Sequence, residues 1–149
     1  MTHYTVTNEH LKRELELAEY LSKKWNCCVQ HQYKYSIYDC VAHRNHEPKA
    51  FVEMRVVNYA ADDLPEIMIP MSKIIDGQQQ TNLTKIPSFF VVYWYKCKTV
   101  KFVDVNNIEC IPKFRVTKMN MNRTNKPKEV EVARFVPKEV FTYVGQNKA

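Results

Sequence analysis

The chain contains two glycines, Gly77 and Gly145, in 149 residues. That scarcity excludes the glycine-rich loops with which Walker and Rossmann proteins cradle phosphates, since those need several permissive backbone positions in one turn. No run of about 18 uncharged apolar residues occurs, so neither a membrane-spanning helix nor a membrane partner is expected. The opening residues lack the basic-then-apolar layout of a signal peptide, and an intracellular protein is expected. The five cysteines (Cys27, Cys28, Cys40, Cys97 and Cys110) include no Cys-x-x-Cys pair. Their spacing argues against structural zinc and for buried free thiols in a reducing compartment. Segment 113–128 carries no acidic residue.

What is present is positive charge. Twenty-two Lys and Arg against 16 Asp and Glu give a net charge of +6. Such a balance suits an anionic partner, nucleic acid first among them. The basic residues of the acid-free segment, Lys113, Arg115, Lys118, Arg123, Lys126 and Lys128, are the candidate nucleic-acid contacts. Each neutralised phosphate would release counterions and make binding salt-sensitive. The segment itself reads as a loop or irregular excursion. The length fits one domain, 1–149, large enough for its own core.

Hydrophobic periodicity places an amphipathic helix over 8–25, with Leu11, Leu15, Ala18, Leu21 and Trp25 as its apolar stripe. On a helical wheel Glu14 falls inside that stripe, between Leu21 and Trp25, where a carboxylate is costly unless compensated. Strand-like stretches follow at 27–33 and 35–42, then a polar turn at 43–48 and a strand at 49–59. His43 and His46 in that turn read as exposed residues rather than metal ligands. Residues 60–70 read as a loop, and Ser72 as the cap of a helix over 73–83. The nearly continuous apolar run 88–96 reads as a central strand covered on both faces, and 100–105 as its neighbour. Within that run Tyr93, Trp94 and Tyr95 could stack on bases but are better read as core. Weaker signals suggest a strand at 130–135 and a short closing element at 137–144. Helix, three strands, helix and two strands imply an α/β mixed sheet with helices packed on it.

Two acids stand out in this frame. Asp39 and Glu53 lie in successive strands, and Glu53 opens the triplet Glu53-Met54-Arg55. Alternation puts Phe51, Glu53, Arg55 and Val57 on one face. Whether Asp39 shares that face depends on a register the sequence leaves open. Two neighbouring carboxylates repel unless a cation lies between them, and hard Mg²⁺ prefers oxygen ligands.

These residues and their order resemble the PD-(D/E)XK nuclease superfamily, in particular small single-domain members encoded by bacteriophages. The resemblance covers roughly 8–105, leaving 106–149 as a basic extension with a closing strand. It rests on Glu14 in the first helix, Asp39, Glu53-Met54-Arg55, Lys73 after the loop, Val91-Val92, and Phe102-Val103-Asp104-Val105. It implies a restriction-endonuclease-like core of α-β-β-β-α-β order. It also implies hydrolysis of DNA phosphodiester bonds with Mg²⁺ or Mn²⁺, as an endo- or exodeoxyribonuclease working in the host cytoplasm if phage-encoded. Asp39 and Glu53 would be catalytic metal ligands, joined by Glu14 and the backbone carbonyl of Met54.

Two positions depart from the family pattern. Tyr38 stands in the Pro position, which is loose, and Arg55 in the Lys position. Arginine keeps its proton and cannot be a general base, although it can bind a phosphate bidentately. Lys73, on the following helix, is the candidate for the missing lysine. Two other classes fit the same residues: an inactive nuclease fold that binds nucleic acid, and an interaction subunit of a phage assembly. Arg55→Lys should raise the activity of a weak enzyme and leave a pure binder unchanged. A homodimer is compatible with the chain, but no dimer face is legible.

Overall fold

The computed structural model describes residues 8–32, 39–108, 112–117 and 129–148. Its first element, α1 (Asn8–Lys24), lies against one face of a six-stranded sheet. The buried arc of α1 runs through Leu17, Ala18 and Leu21. Leu11 and Leu15, expected in the stripe, are 44% and 52% exposed. The helix is therefore rotated relative to the expected stripe, and Glu14, one turn before Leu17 and Ala18, sits on its sheet-facing side.

The large sheet contains β1 (Cys28–His31), β2 (Cys40–Arg44), β3 (Glu47–Val57), β5 (Ser88–Trp94), β6 (Thr99–Asp104) and β9 (Thr142–Gln146), in the order β1-β2-β3-β5-β6-β9. Between β3 and β5 the chain forms β4 (Glu66–Pro70) and α2 (Met71–Thr84). The crossover makes β3 and β5 parallel while every other neighbouring pair in this sheet is antiparallel. This is the mixed sheet flanked by helices that the element order implied.

A core cluster lies on each side of the sheet. Val52, Met54, Val91 and Tyr93 pack with the buried arc of α1. Val57, Phe90, Val92 and Trp94 pack on the other face with Ile74 of α2. Consecutive β5 residues thus serve both layers, as the unbroken apolar run predicted. Ser88 Oγ donates to Gly77 O at 3.0 Å and lies 2.9 Å from Thr81 Oγ1, which pins α2 on the start of β5.

Three expected features differ. The stretch read as a loop at 60–70 ends in β4, whose Ile67 and Ile69 enter the core while their neighbours stay half-buried. Five residues of plain alternation are too short to separate from a loop that happens to hold isoleucines. Second, β4 pairs with β8 (Glu129–Pro137), and β8 with β7 (Pro112–Thr117), forming a three-stranded sheet. So 112–117 is strand rather than irregular excursion, and Lys113 and Arg115 belong to it. Lys118, Arg123, Lys126 and Lys128 lie outside the described residues. Third, α2 has Pro70 as its N-cap, without a side-chain cap bond, so Ser72 is an internal residue.

The turn after β2 is also tighter than expected. His43 remains in the strand, with Nε2 3.2 Å from Gln30 Oε1. Asn45 and His46 take left-handed φ of 52° and 65°, the pair of positive angles a two-residue hairpin needs. Of the described cysteines, none forms a disulfide; Cys40 is buried, but Cys28 is exposed. None of the described helices is long and apolar enough to cross a membrane.

Candidate active site

The register of β2 on β3 answers the question of shared faces. Cys40 pairs with Val52, so Asp39, the next residue out, falls opposite Glu53. Cys40 packs in the cluster on the α1 side, so alternation turns Asp39 and Glu53 toward the other layer. Beyond Cys40 the Asp39 side chain takes over the pairing: Met54 N–H donates to Asp39 Oδ2 at 2.9 Å. In a strand the N–H and C=O of one residue point to the same side, so the Met54 carbonyl also faces the Asp39 side.

Lys73 completes the cluster from α2. Gly77 and Thr81, which dock that helix on Ser88, follow Lys73 at successive four-residue steps and share its face. The lysine is thereby carried over the middle of β3, where Nζ lies 2.9 Å from Glu53 Oε1. Glu53 is 9% exposed, and its other oxygen, Oε2, is buried without a hydrogen-bond partner.

Burial, then the charge on Asp39, pushes the Glu53 carboxyl up to about 7, against the pull of Lys73. Burial opposes the charge on Lys73, yet Glu53, with Asp39 and Asp76, outweighs it and raises the ammonium above its usual range. The thiol of Cys40 is pushed up to about 12 by burial and then by Asp39, Glu14 and Glu53.

Glu14 nevertheless has partners of its own. His10 Nε2 is 3.0 Å from Glu14 Oε1 and His31 Nε2 is 3.5 Å from Glu14 Oε2. Among the described residues no three His, Cys, Asp or Glu side chains converge as a metal-binding set. The structure brings together Asp39, Glu53, Met54 and Lys73, while Glu14, on α1, meets His10 and His31. Arg55, on the Glu53 face, donates from Nη1 to Met68 O of β4 at 3.1 Å.

Sequence reasoning missed the residues beside Arg55. A cleft of about 420 Å³ opens where the end of β3 meets the start of α1, lined by Arg55, His10, Arg13, Tyr59 and Tyr95 among others. The Arg13 guanidinium lies 4.5 Å from the centroid of the Tyr95 ring. The only sequence signal was Tyr95 at the end of an apolar run, where Tyr93 and Trp94 are indeed core, at 0% and 1% exposure.

A mixed sheet with a parallel central pair, two opposed acids at its heart and a lysine delivered from the crossover helix defines a PD-(D/E)XK-type nuclease fold. Residues 3–142 match the family model described as "Phage putative PDDEXK endonuclease". The chain belongs to this phage PDDEXK endonuclease family. Its fold is similar to that of Hjc, a Holliday junction resolvase from the archaeal hyperthermophile Archaeoglobus fulgidus. That match has a TM-score of 0.53 and 10% identity, over 87% of this chain and 86% of the other. A nuclease from a fusellovirus, D212, matches with a TM-score of 0.48 and 16% identity, over 89% of this chain and 81% of that one. Among curated proteins none matches.

Proposed function

We propose that the protein is a metal-dependent deoxyribonuclease whose centre is Asp39, Glu53, the Met54 carbonyl and Lys73, with Mg²⁺ or Mn²⁺ as cofactor. The observation that carries this reading is Lys73 Nζ at 2.9 Å from Glu53 Oε1, with Asp39, just before β2, bonded to the neighbouring Met54 amide. The donor set fits a hard divalent ion: two carboxylates and a backbone oxygen, with water to fill the remaining positions. A buried carboxylate oxygen without a partner, Glu53 Oε2, supports the same fit.

When bound, such an ion supplies acidified water and neutralises charge on the phosphate. The protein's own residues do the rest. Asp39, just before β2, and Glu53, in β3, hold their oxygens in place through the Met54 amide and the Lys73 ammonium. Lys73, kept charged beside Glu53, is placed to orient a water or phosphate oxygen through its remaining N–H groups. Arg55 stands next along the same strand face, where its planar fork suits a backbone phosphate. It has no need to replace the motif lysine, because Lys73 occupies that role from α2. Glu14 contributes its charge from the α1 side, tethered by His10 and His31. The net charge of +6 favours a nucleic-acid substrate, with Lys113, Arg115, Lys118, Arg123, Lys126 and Lys128 as its further contacts.

Plasmid and linear DNA incubated with Mg²⁺, Mn²⁺ or chelator tests the reading. Cleavage is expected with either ion, absent with chelator, and lost in Asp39→Asn and Glu53→Gln. Undiminished cleavage by both variants overturns it. Salt-sensitive binding without cleavage in any divalent ion would indicate the inactive, nucleic-acid-binding alternative.

A further inference from the structure

We propose that the cleft beside Arg55 is a subsite for one unstacked nucleotide, so that the protein acts on DNA with an unpaired segment next to the cut. The proposal rests on the nuclease reading for the word "cut", but the binding it predicts requires no catalysis.

The cleft has the size of a small-molecule site, about 420 Å³. Its position follows from the fold: it lies at the carboxyl end of β3, whose parallel partner β5 ends nearby and leads into Tyr95. Arg55 stands two residues beyond Glu53 on the same face, a step of about 7 Å along a strand. A phosphate held by Arg55 would thus adjoin the acid pair. Arg55 donates one hydrogen bond, to Met68 O, among the described residues, and a guanidinium has five N–H groups.

The opposite wall is built as a platform. Arg13 lies over the Tyr95 ring at 4.5 Å, while Glu16 at 3.3 Å and Glu9 at 3.9 Å hold its edge. A guanidinium held over an aromatic ring offers a planar, cationic surface, and bases stack on both arginine planes and aromatic rings. Tyr59 adds a second half-buried ring to the same cleft. A base inside a continuous duplex is covered by its neighbours and cannot enter such a pocket without unstacking. Unpaired DNA meets the least of this cost, which selects single-stranded over double-stranded substrate.

The test is binding of labelled single-stranded, gapped and blunt duplex oligodeoxynucleotides to the full chain in chelator, read by fluorescence anisotropy, with thermal melts to confirm folding. Tighter binding of the single-stranded and gapped DNA is expected. Arg13→Ala and Tyr95→Ala should weaken that binding about 5- to 100-fold, the range of one base-stacking contact, with less effect on blunt duplex. Tyr95→Phe should retain it. If Tyr95→Ala does not fold, Arg13→Ala, at a helix surface, decides alone. Equal affinity for all three DNAs, or a folded Arg13→Ala variant that binds single strands as wild type does, overturns the proposal. If the preference holds and no divalent ion supports cleavage, the subsite stands and the nuclease reading falls.

Discussion

Lys73 and Glu53 meet at 2.9 Å although one stands on the crossover helix and the other in the middle of a strand. In the proposed centre this pair takes the place of the motif lysine that position 55 lacks. Lys73→Met is therefore expected to lower kcat by about 10²- to 10³-fold, the usual range for a lost transition-state hydrogen-bond donor, with DNA affinity changed only a few-fold. Single-turnover cleavage alongside binding in chelator separates the two. An unchanged kcat would mean that Lys73 is a solvated partner of Glu53 and no more.

Glu53 itself should make stability depend on pH. Burial holds its carboxyl at about 7 in the folded protein, above the ordinary 4.5. A raised carboxyl contributes stability that is fully present below the unfolded value and is lost as pH rises through the folded one. Glu53→Gln, which mimics the protonated acid, should thus gain on wild type between pH 5 and pH 8 by roughly 2 kcal/mol. Denaturant unfolding of the metal-free proteins at both pH values measures it. A difference that does not grow with pH would contradict the buried, proton-holding state of this acid.

The same proton should be displaced by metal. Below about pH 7 the ion must compete with the proton on Glu53, so Mn²⁺ binding should weaken by up to tenfold per pH unit and release close to one proton. Above that pH both dependences should fade. Calorimetric titration in buffers of different ionisation enthalpy reads the proton directly. Pre-treatment with chelator should abolish cleavage, and added Mn²⁺ should restore it.

Arg55 and Glu14 should separate from the central acids in magnitude. Arg55→Ala is expected to raise KM about tenfold through a lost charged phosphate contact, with a smaller effect on kcat. Glu14→Gln should reduce activity less than Glu53→Gln, because Glu14 is already held by His10 and His31 outside the cluster. Steady-state kinetics on one oligonucleotide compares all three variants.

Much of this site could be read from residue order because its parts are local. Asp39 directly precedes β2, Glu53 sits in β3, a short hairpin joins those two strands, and Lys73 follows at the next helix start. What escaped depends on distant pairing. Glu66–Pro70 becomes a strand only because β8 lies beside it. Leu11 and Leu15 looked like core because periodicity reports a stripe and not which edge of it meets the sheet; the strands under α1 chose the Leu17 side. Tyr95 and Arg13 are far apart in sequence, and no spacing rule links a residue ending one strand to a residue starting the first helix.

The pairing of β4 with β8 gives the site an order of assembly. The acids are set by a hairpin complete once the first strands of the large sheet exist. The lysine follows directly on β4, whose ladder partner is made more than sixty residues later. Contacts so distant in sequence close late, because loop entropy must be overcome first. A growing chain would carry its paired acids well before the strand that anchors β4, the element leading into the lysine's helix, has been synthesised.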